Sequence, residues 1–438
     1  MSLPPRPRLL VLAAALIAFI GPAAAPAQGP ESPGTLRALA AALYQELAAL
    51  KGMPPPGSPP PILVKSREDT RRFIEHELDR RYSAARMEAE RKGLVAWGLI
   101  PPGYDLRRLF VDLMQQQIAA YYDPRGKVMV LADWLPPEQQ QVALIHELVH
   151  ALQDRDISLD AFLAPRAGAG DQILARQALV EGEAVALTLE LALKAQGTQL
   201  VSLPDLGSLK SMVAAGAASG AIGSAPPFLR DLLTFPYVEG FNFAFALRKQ
   251  QPWSAISALY RDPPRSTTQI MNPDKRLVTR EDPLLITLPD LGAIAPGVRE
   301  VAADELGEFA LGAVLGQHLG ERAGRAAAAG WRGDHYRVGE DAGGRLMLVY
   351  LVALDSERRA RALTLTYAAV LEKRHIAVAG TRVSDPAGSV LTWRDGERAF
   401  AVDRHGADVL VLEQVPGGQA DAIREAIWRF RAGAAPRP

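Results

Sequence analysis

The chain of 438 residues contains no cysteine. That absence excludes disulfides, cysteine-ligated zinc and thiol catalysis together. Any metal site must be assembled from His, Asp and Glu. Net charge is missing as well, with 49 acidic residues against 49 basic ones. A nucleic-acid binder carries a basic excess, so no nucleic-acid partner is expected. Histidine is scarce, at 7 residues, so two of them at functional spacing stand out. No internal repeat is present. The uncharged apolar run Leu9 to Ile20 is too short for a comfortable membrane span.

That run has Arg6 and Arg8 ahead of it and "GPAAAPAQG" behind it, the layout of an export signal of bacterial style. A cut after Ala25 would leave Pro26 just beyond the scissile bond, so cleavage is expected after Ala27. No cysteine follows the run, which excludes a bacterial lipid anchor. The mature protein is expected to be periplasmic or secreted, with no stable membrane span once the signal is removed.

Composition and pattern divide the rest. Residues 28–62 hold a helical stretch, "TLRALAAALYQELAALKG", and a stiff proline-rich spacer, "MPPPGSPPPI". Residues 63–291 read as a mainly helical domain with a small edge β-sheet, and residues 292–438 as a smaller α+β domain of unknown role, so the fold class is α+β. In the last part, "RLMLVYLVAL", "SVLTWRDG", "ERAFAVDR" and "ADVLVLEQV" are β-like. Asp123-Pro124-Arg125-Gly126 predicts a hairpin turn between two strands. Leu200 to Pro236 reads as a packed or mobile insertion, with a helix starting at "PYVEGFNFAFALRKQ". His76 lacks a partner one turn on, at Arg80, and reads as a solvated helix position. Asp334 and His335 read as a structural pair.

The chemistry concentrates in "QQVALIHELVHALQDRD", Gln140 to Asp156. Pro137 and Glu138 suit the first turn of a helix. At 100° per residue, His146 and His150 stand one above the other on one face and can converge on one ion. Glu147 projects beside that face, where it can reach a water without filling a coordination position. This is the H-E-x-x-H logic of two zinc ligands and a general base. Asp154 is too far along the helix to ligate and suits a supporting or helix-end role. A second helix, Asp171 to Gln196, carries Glu181 and Glu183 about 200° apart. Glu181 lies on the apolar stripe with Leu174, Ala178 and Val185, where a buried carboxylate needs a cation. Glu183 lies on a more charged stripe and reads as solvated.

These residues resemble the gluzincin metallopeptidases, of the aminopeptidase N and leukotriene A hydrolase type. The resemblance covers about Tyr121 to Lys275. H-E-x-x-H followed by a helix bearing "VEGEA" is similar to the family's N-E-G-F-A segment, with Val180 in place of its Asn and a longer connection before it. The resemblance implies a zincin-type fold and makes Glu181 the third zinc ligand. "FPYVEGF" is similar to the family's P-Y-x-K-G-F segment and gives Tyr237 the role of oxyanion donor, with Glu239 where the family has Lys. No GAMEN-like motif is present, so exopeptidase activity does not carry over. One bound zinc and a peptide or protein substrate are implied. The alternatives are an amidase acting on a non-peptide amide and a non-catalytic zinc-scaffold binding protein of the cell envelope. Oligomeric state is not readable from the residues.

Overall fold

The computed structural model describes residues 33–433 except 82, 118–119, 135, 204–206, 208–210, 213–214, 216–221, 223–224 and 376–381. The expected export signal and its cleavage point after Ala27 lie outside the described residues, as does much of the Leu200 to Pro236 insertion. Among the described residues no helix is long and apolar enough to cross a membrane.

Helix α1 (Pro33–Lys51) leads through the proline-rich spacer into strand β1 (Ile62–Lys65). Helices α2 (Arg67–Arg81), α3 (Ala84–Ala96) and α4 (Leu106–Gln117) follow, then β2 (Ala120–Asp123) and β3 (Val128–Ala132). The expected hairpin forms, with Asp123 opposite Val128 and Tyr121 opposite Val130. β1 joins it in parallel, so the small sheet has the order β1-β3-β2 and β2 is an edge strand. Helix α5 (Pro137–Asp156) carries the histidine pair, and α6 (Leu159–Phe162) caps the turn into α7 (Gly170–Ala195). His76 sits exposed on α2, as its spacing predicts.

Helix α8 spans Pro227–Gln250 and runs straight through Pro236. The sequence places a helix start at that proline because an interior proline cannot donate to the carbonyl four residues back. The observed helix begins about two and a half turns earlier, and apolar burial of Phe228, Leu229, Leu232 and Phe235 outweighs the lost bond. Short helices α9 (Ser254–Arg261), α10 (Thr267–Met271), α11 (Asp274–Leu277) and α12 (Leu291–Ile294) lead to the second sheet.

That sheet has seven antiparallel strands in the order β4-β5-β6-β10-β9-β8-β7. Its strands are β4 (Arg299–Asp304), β5 (Trp331–Glu340), β6 (Leu346–Leu354), β7 (Val383–Ser384), β8 (Val390–Asp395), β9 (Arg398–His405) and β10 (Asp408–Pro416). Helices α13 (Gly307–Leu319), α14 (Glu321–Ala328), α15 (Glu357–Arg374) and α16 (Ala420–Gly433) complete the chain. The apolar run of β6 has no polar alternation because both sheet faces are covered. Leu348, Tyr350 and Val352 face the large core, while Met347, Val349 and Leu351 face a smaller one closed by Ile423 and Ile427 of α16.

The large core runs without a break from α1 through α5, α7 and α8 into one face of the seven-stranded sheet. Trp97, at the end of α3, packs edge-on against Tyr336 and Tyr350 of the sheet. Buried carboxylates add directional ties. Asp304 of β4 accepts from Gly170 N at 2.9 Å, at the start of α7. Asp334 accepts from Leu306 N and Gly307 N at the start of α13, and from Trp331 and Tyr350. The Ile286–Val298 stretch, which straddles the sequence-based boundary at Leu291, packs into the smaller core.

Two glycines set how closely α7 and α8 approach. A Cβ on Gly182 would lie 2.1 Å from the backbone of Gly240, and one on Gly240 would lie 2.1 Å from the carbonyl of Ala178. The two helix backbones therefore touch at this crossing. It lies between Glu181 and Glu183 on α7 and one turn beyond Tyr237 on α8.

Candidate metal centre

Helix α5 presents His146 and His150 with their Nε2 atoms 3.1 Å apart. Glu181 reaches across from α7, its Oε2 3.2 Å from His146 Nε2 and 3.5 Å from His150 Nε2. Zinc bonded to nitrogen and oxygen at about 2.0–2.1 Å in a tetrahedron places its donors roughly 3.3 Å apart. The three observed separations, 3.1, 3.2 and 3.5 Å, match the edges of such a tetrahedron. The donor set, two imidazoles and a carboxylate, is also a catalytic zinc set that leaves one position open.

Glu147 lies close enough that its carboxylate and both histidines form one compact group. Its Oε2 accepts from Tyr122 N at 2.6 Å, and its Oε1 is buried with no hydrogen-bond partner. Glu181 is nearer to both rings and could complete the set in its place. Glu147 then stands beside the donors with one oxygen fixed and one oxygen uncommitted.

Exposure is 4 % at His146, 1 % at Glu147, 6 % at His150 and 3 % at Glu181, so electrostatic effects are strong here. Burial pushes the Glu147 carboxyl above the usual range, against the pull of His150 and His146. For Glu181 burial acts upward too, but the His150 charge and hydrogen bonds from both rings bring it down to about 2. Burial lowers His150, yet the Glu181 carboxylate and its hydrogen bond raise it to about 9. With His150 raised in this way, a cation at these atoms would bind in competition with a proton.

Supporting groups surround the donors. His150 Nδ1 pairs with Gln153 Oε1 at 2.8 Å. Gln153 Nε2 donates to Glu183 Oε2 at 2.8 Å and to Val180 O at 2.9 Å. Glu183 Oε2 also accepts from Tyr260 OH at 2.5 Å, and its Oε1 pairs with Lys51. Asp154 ties the end of α5 to the hairpin, accepting from Tyr122 OH at 2.8 Å, from Leu159 N and from Lys127. It holds the strand whose Tyr122 N–H orients Glu147. Tyr237 is buried with its ring 6.4 Å from that of His146, at an interplanar angle of 27°.

The structure thus brings together His146, Glu147, His150, Glu181 and Tyr237. It corrects the reading of Glu183, which is not solvated but 0 % exposed. Helix α7 is buried on nearly every side from Ile173 to Leu191, so its charged stripe faces Lys51 of α1 and Tyr260 of α9 rather than water. Gln153, Lys51, Tyr122 and Tyr260 were missed. Gln153 carried a local signal, standing three residues after His150 on nearly the same face. Lys51 and Tyr260 carried none, being 132 and 77 residues from Glu183 along the chain.

A buried His-Glu-His centre on two crossed helices is consistent with a metallopeptidase-like role. The comparison with known families agrees: residues 104–195 match the Peptidase_M78 family, described as an IrrE N-terminal-like domain. This match points to a zinc-metallopeptidase-like family. Its span includes His146, Glu147, His150, Glu181 and Glu183, and excludes Lys51, Tyr237 and Tyr260. Residues 295–424, most of the seven-stranded sheet, match a domain of unknown function, DUF8575. No curated protein and no solved structure matches the chain.

Proposed function

We propose that this protein is an exported zinc metallopeptidase of gluzincin type that hydrolyses peptide bonds in the periplasm or outside the cell. The observation that carries the reading is the triangle of donor atoms at 3.1–3.5 Å beside a carboxylate with one uncommitted oxygen. His146, His150 and Glu181 would hold the ion. Zinc would supply Lewis acidity, acidifying a water and polarising a carbonyl.

The protein's own groups account for the rest. Glu147 Oε1 accepts the proton of the attacking water, and its burial favours the protonated form that follows. The same carboxyl then delivers that proton to the departing amine. Tyr122 N–H holds the other oxygen in place throughout. Support for a peptide substrate comes from β2. Among the described residues β2 pairs only with β3, and its Tyr122 N–H points away from that partner toward Glu147. A peptide added along this edge, paired with backbone groups other than the Tyr122 N–H, runs past the base. Tyr237, beside His146, is assigned as donor to the developing oxyanion.

Purified protein should hold about one zinc per chain, as expected for a single three-ligand site. It should cleave an unstructured protein such as casein and stop when a chelator removes the metal. Metal analysis that finds no zinc after incubation with the ion would overturn the assignment. Tyr237→Phe retains the ring and its packing. It should leave zinc content unchanged and lower turnover about 100-fold, the effect of losing one oxyanion donor. An unchanged turnover number would place that donor elsewhere.

A further inference from the structure

Lys51 and Glu183 pose a question that the hydrolytic chemistry leaves unanswered. Both side chains are 0 % exposed, and neither touches a metal donor directly. A fully buried ion pair is weak support for stability, because desolvation offsets much of its attraction. Its placement gives it a different use.

The hydrogen bonds between this pair and the metal centre run in one direction. Glu183 as a carboxylate only accepts, and it accepts from Lys51, Tyr260 OH and Gln153 Nε2. The second hydrogen of Gln153 Nε2 goes to Val180 O. Both donors of the Gln153 amide are thus taken up by acceptors. Turning the amide over would set its oxygen against a carboxylate and a carbonyl. Its oxygen must therefore face His150 Nδ1, at 2.8 Å, and accept a hydrogen from it. With the hydrogen on Nδ1, the Nε2 lone pair is left for a metal.

We propose that Lys51, Glu183 and Gln153 act as positioning residues that fix His150 as a ligand. Helix α1 then becomes part of the metal centre, although it lies outside the matched span 104–195. The proposal rests on the zinc reading above and adds a requirement to it. Zinc affinity depends on a charge pair anchored about a hundred residues before the histidine motif.

The test measures zinc affinity in full-length mature protein by competition with a chromophoric chelator, with circular dichroism as the check on folding. Lys51→Met combined with Glu183→Gln removes both charges and keeps approximate shape. An amide at position 183 can donate as well as accept, so Val180 O alone is left to set the orientation of Gln153. Zinc affinity should then fall about 10- to 100-fold, the usual effect of losing outer-shell partners. A purely structural role for the pair would lower the melting temperature of the first variant and leave its zinc affinity unchanged, which overturns the proposal. Should that variant not fold, Gln153→Leu carries the same decision: a folded Gln153→Leu protein with full affinity overturns it, and a 10- to 100-fold loss supports it. Unaltered protein that takes up no zinc overturns the zinc reading and this one together, and it is told apart because it appears before any substitution.

Discussion

Glu147→Gln should keep its zinc and lose its activity. The amide has nearly the volume of the carboxylate, and its oxygen can still accept from Tyr122 N, so the local packing survives. What disappears is, among the described residues, the only group beside the donors with an uncommitted buried oxygen able to take a proton. General-base catalysis contributes about 10²- to 10⁴-fold, so kcat should fall by that factor. Metal analysis run beside steady-state kinetics separates the two roles. A variant that hydrolyses peptides at the original rate removes Glu147 from the mechanism. One that loses zinc makes it a ligand instead.

Glu181→Ala should act the other way, through the metal. Apparent zinc affinities correspond to about 10–16 kcal/mol, so removing one of three protein ligands costs roughly 3–5 kcal/mol, or about 10²- to 10⁴-fold in affinity. Activity should fall with occupancy and recover in part when zinc is raised. The same substitution removes the carboxylate that raises His150, so the metal-free variant should titrate His150 at lower pH than the original protein. Chelator competition across a zinc series reads the first effect directly. Unchanged affinity would show that Glu181 is only a hydrogen-bond partner of the two rings.

Comparing Glu181 with Glu183 shows where sequence reading succeeds and where it stops. The histidine pair was legible because its geometry is local, two residues one turn apart on one helix. Glu181 was legible because a carboxylate on an apolar stripe needs a partner. Glu183 was misread although its angular position was right. A helical wheel gives the direction of a side chain but not what covers it. Here the cover comes from Lys51 and Tyr260, on helices remote in sequence. Strand β6 was legible as apolar and extended, whereas the strand order that puts β10 between β6 and β9 was not. The start of α8 was misplaced because a local rule about proline lost to the burial of four apolar side chains upstream of it.

The bare crossing of α7 and α8 has a consequence for how this protein can change over time. A tight contact between two side chains can drift, since a larger group on one side is answered by a smaller one on the other. At Gly182 and Gly240 no such answer exists, because neither residue has a side chain to shorten. Any first step to a larger residue forces the helix axes apart, and overpacking of this kind costs about 1–3 kcal/mol. The same step would shift Tyr237 on α8 and Glu181 on α7 relative to one another. Compensation must come from a shift of a whole helix, so the pair is locked against stepwise exchange, and the spacing of Glu181 and Tyr237 is locked with it.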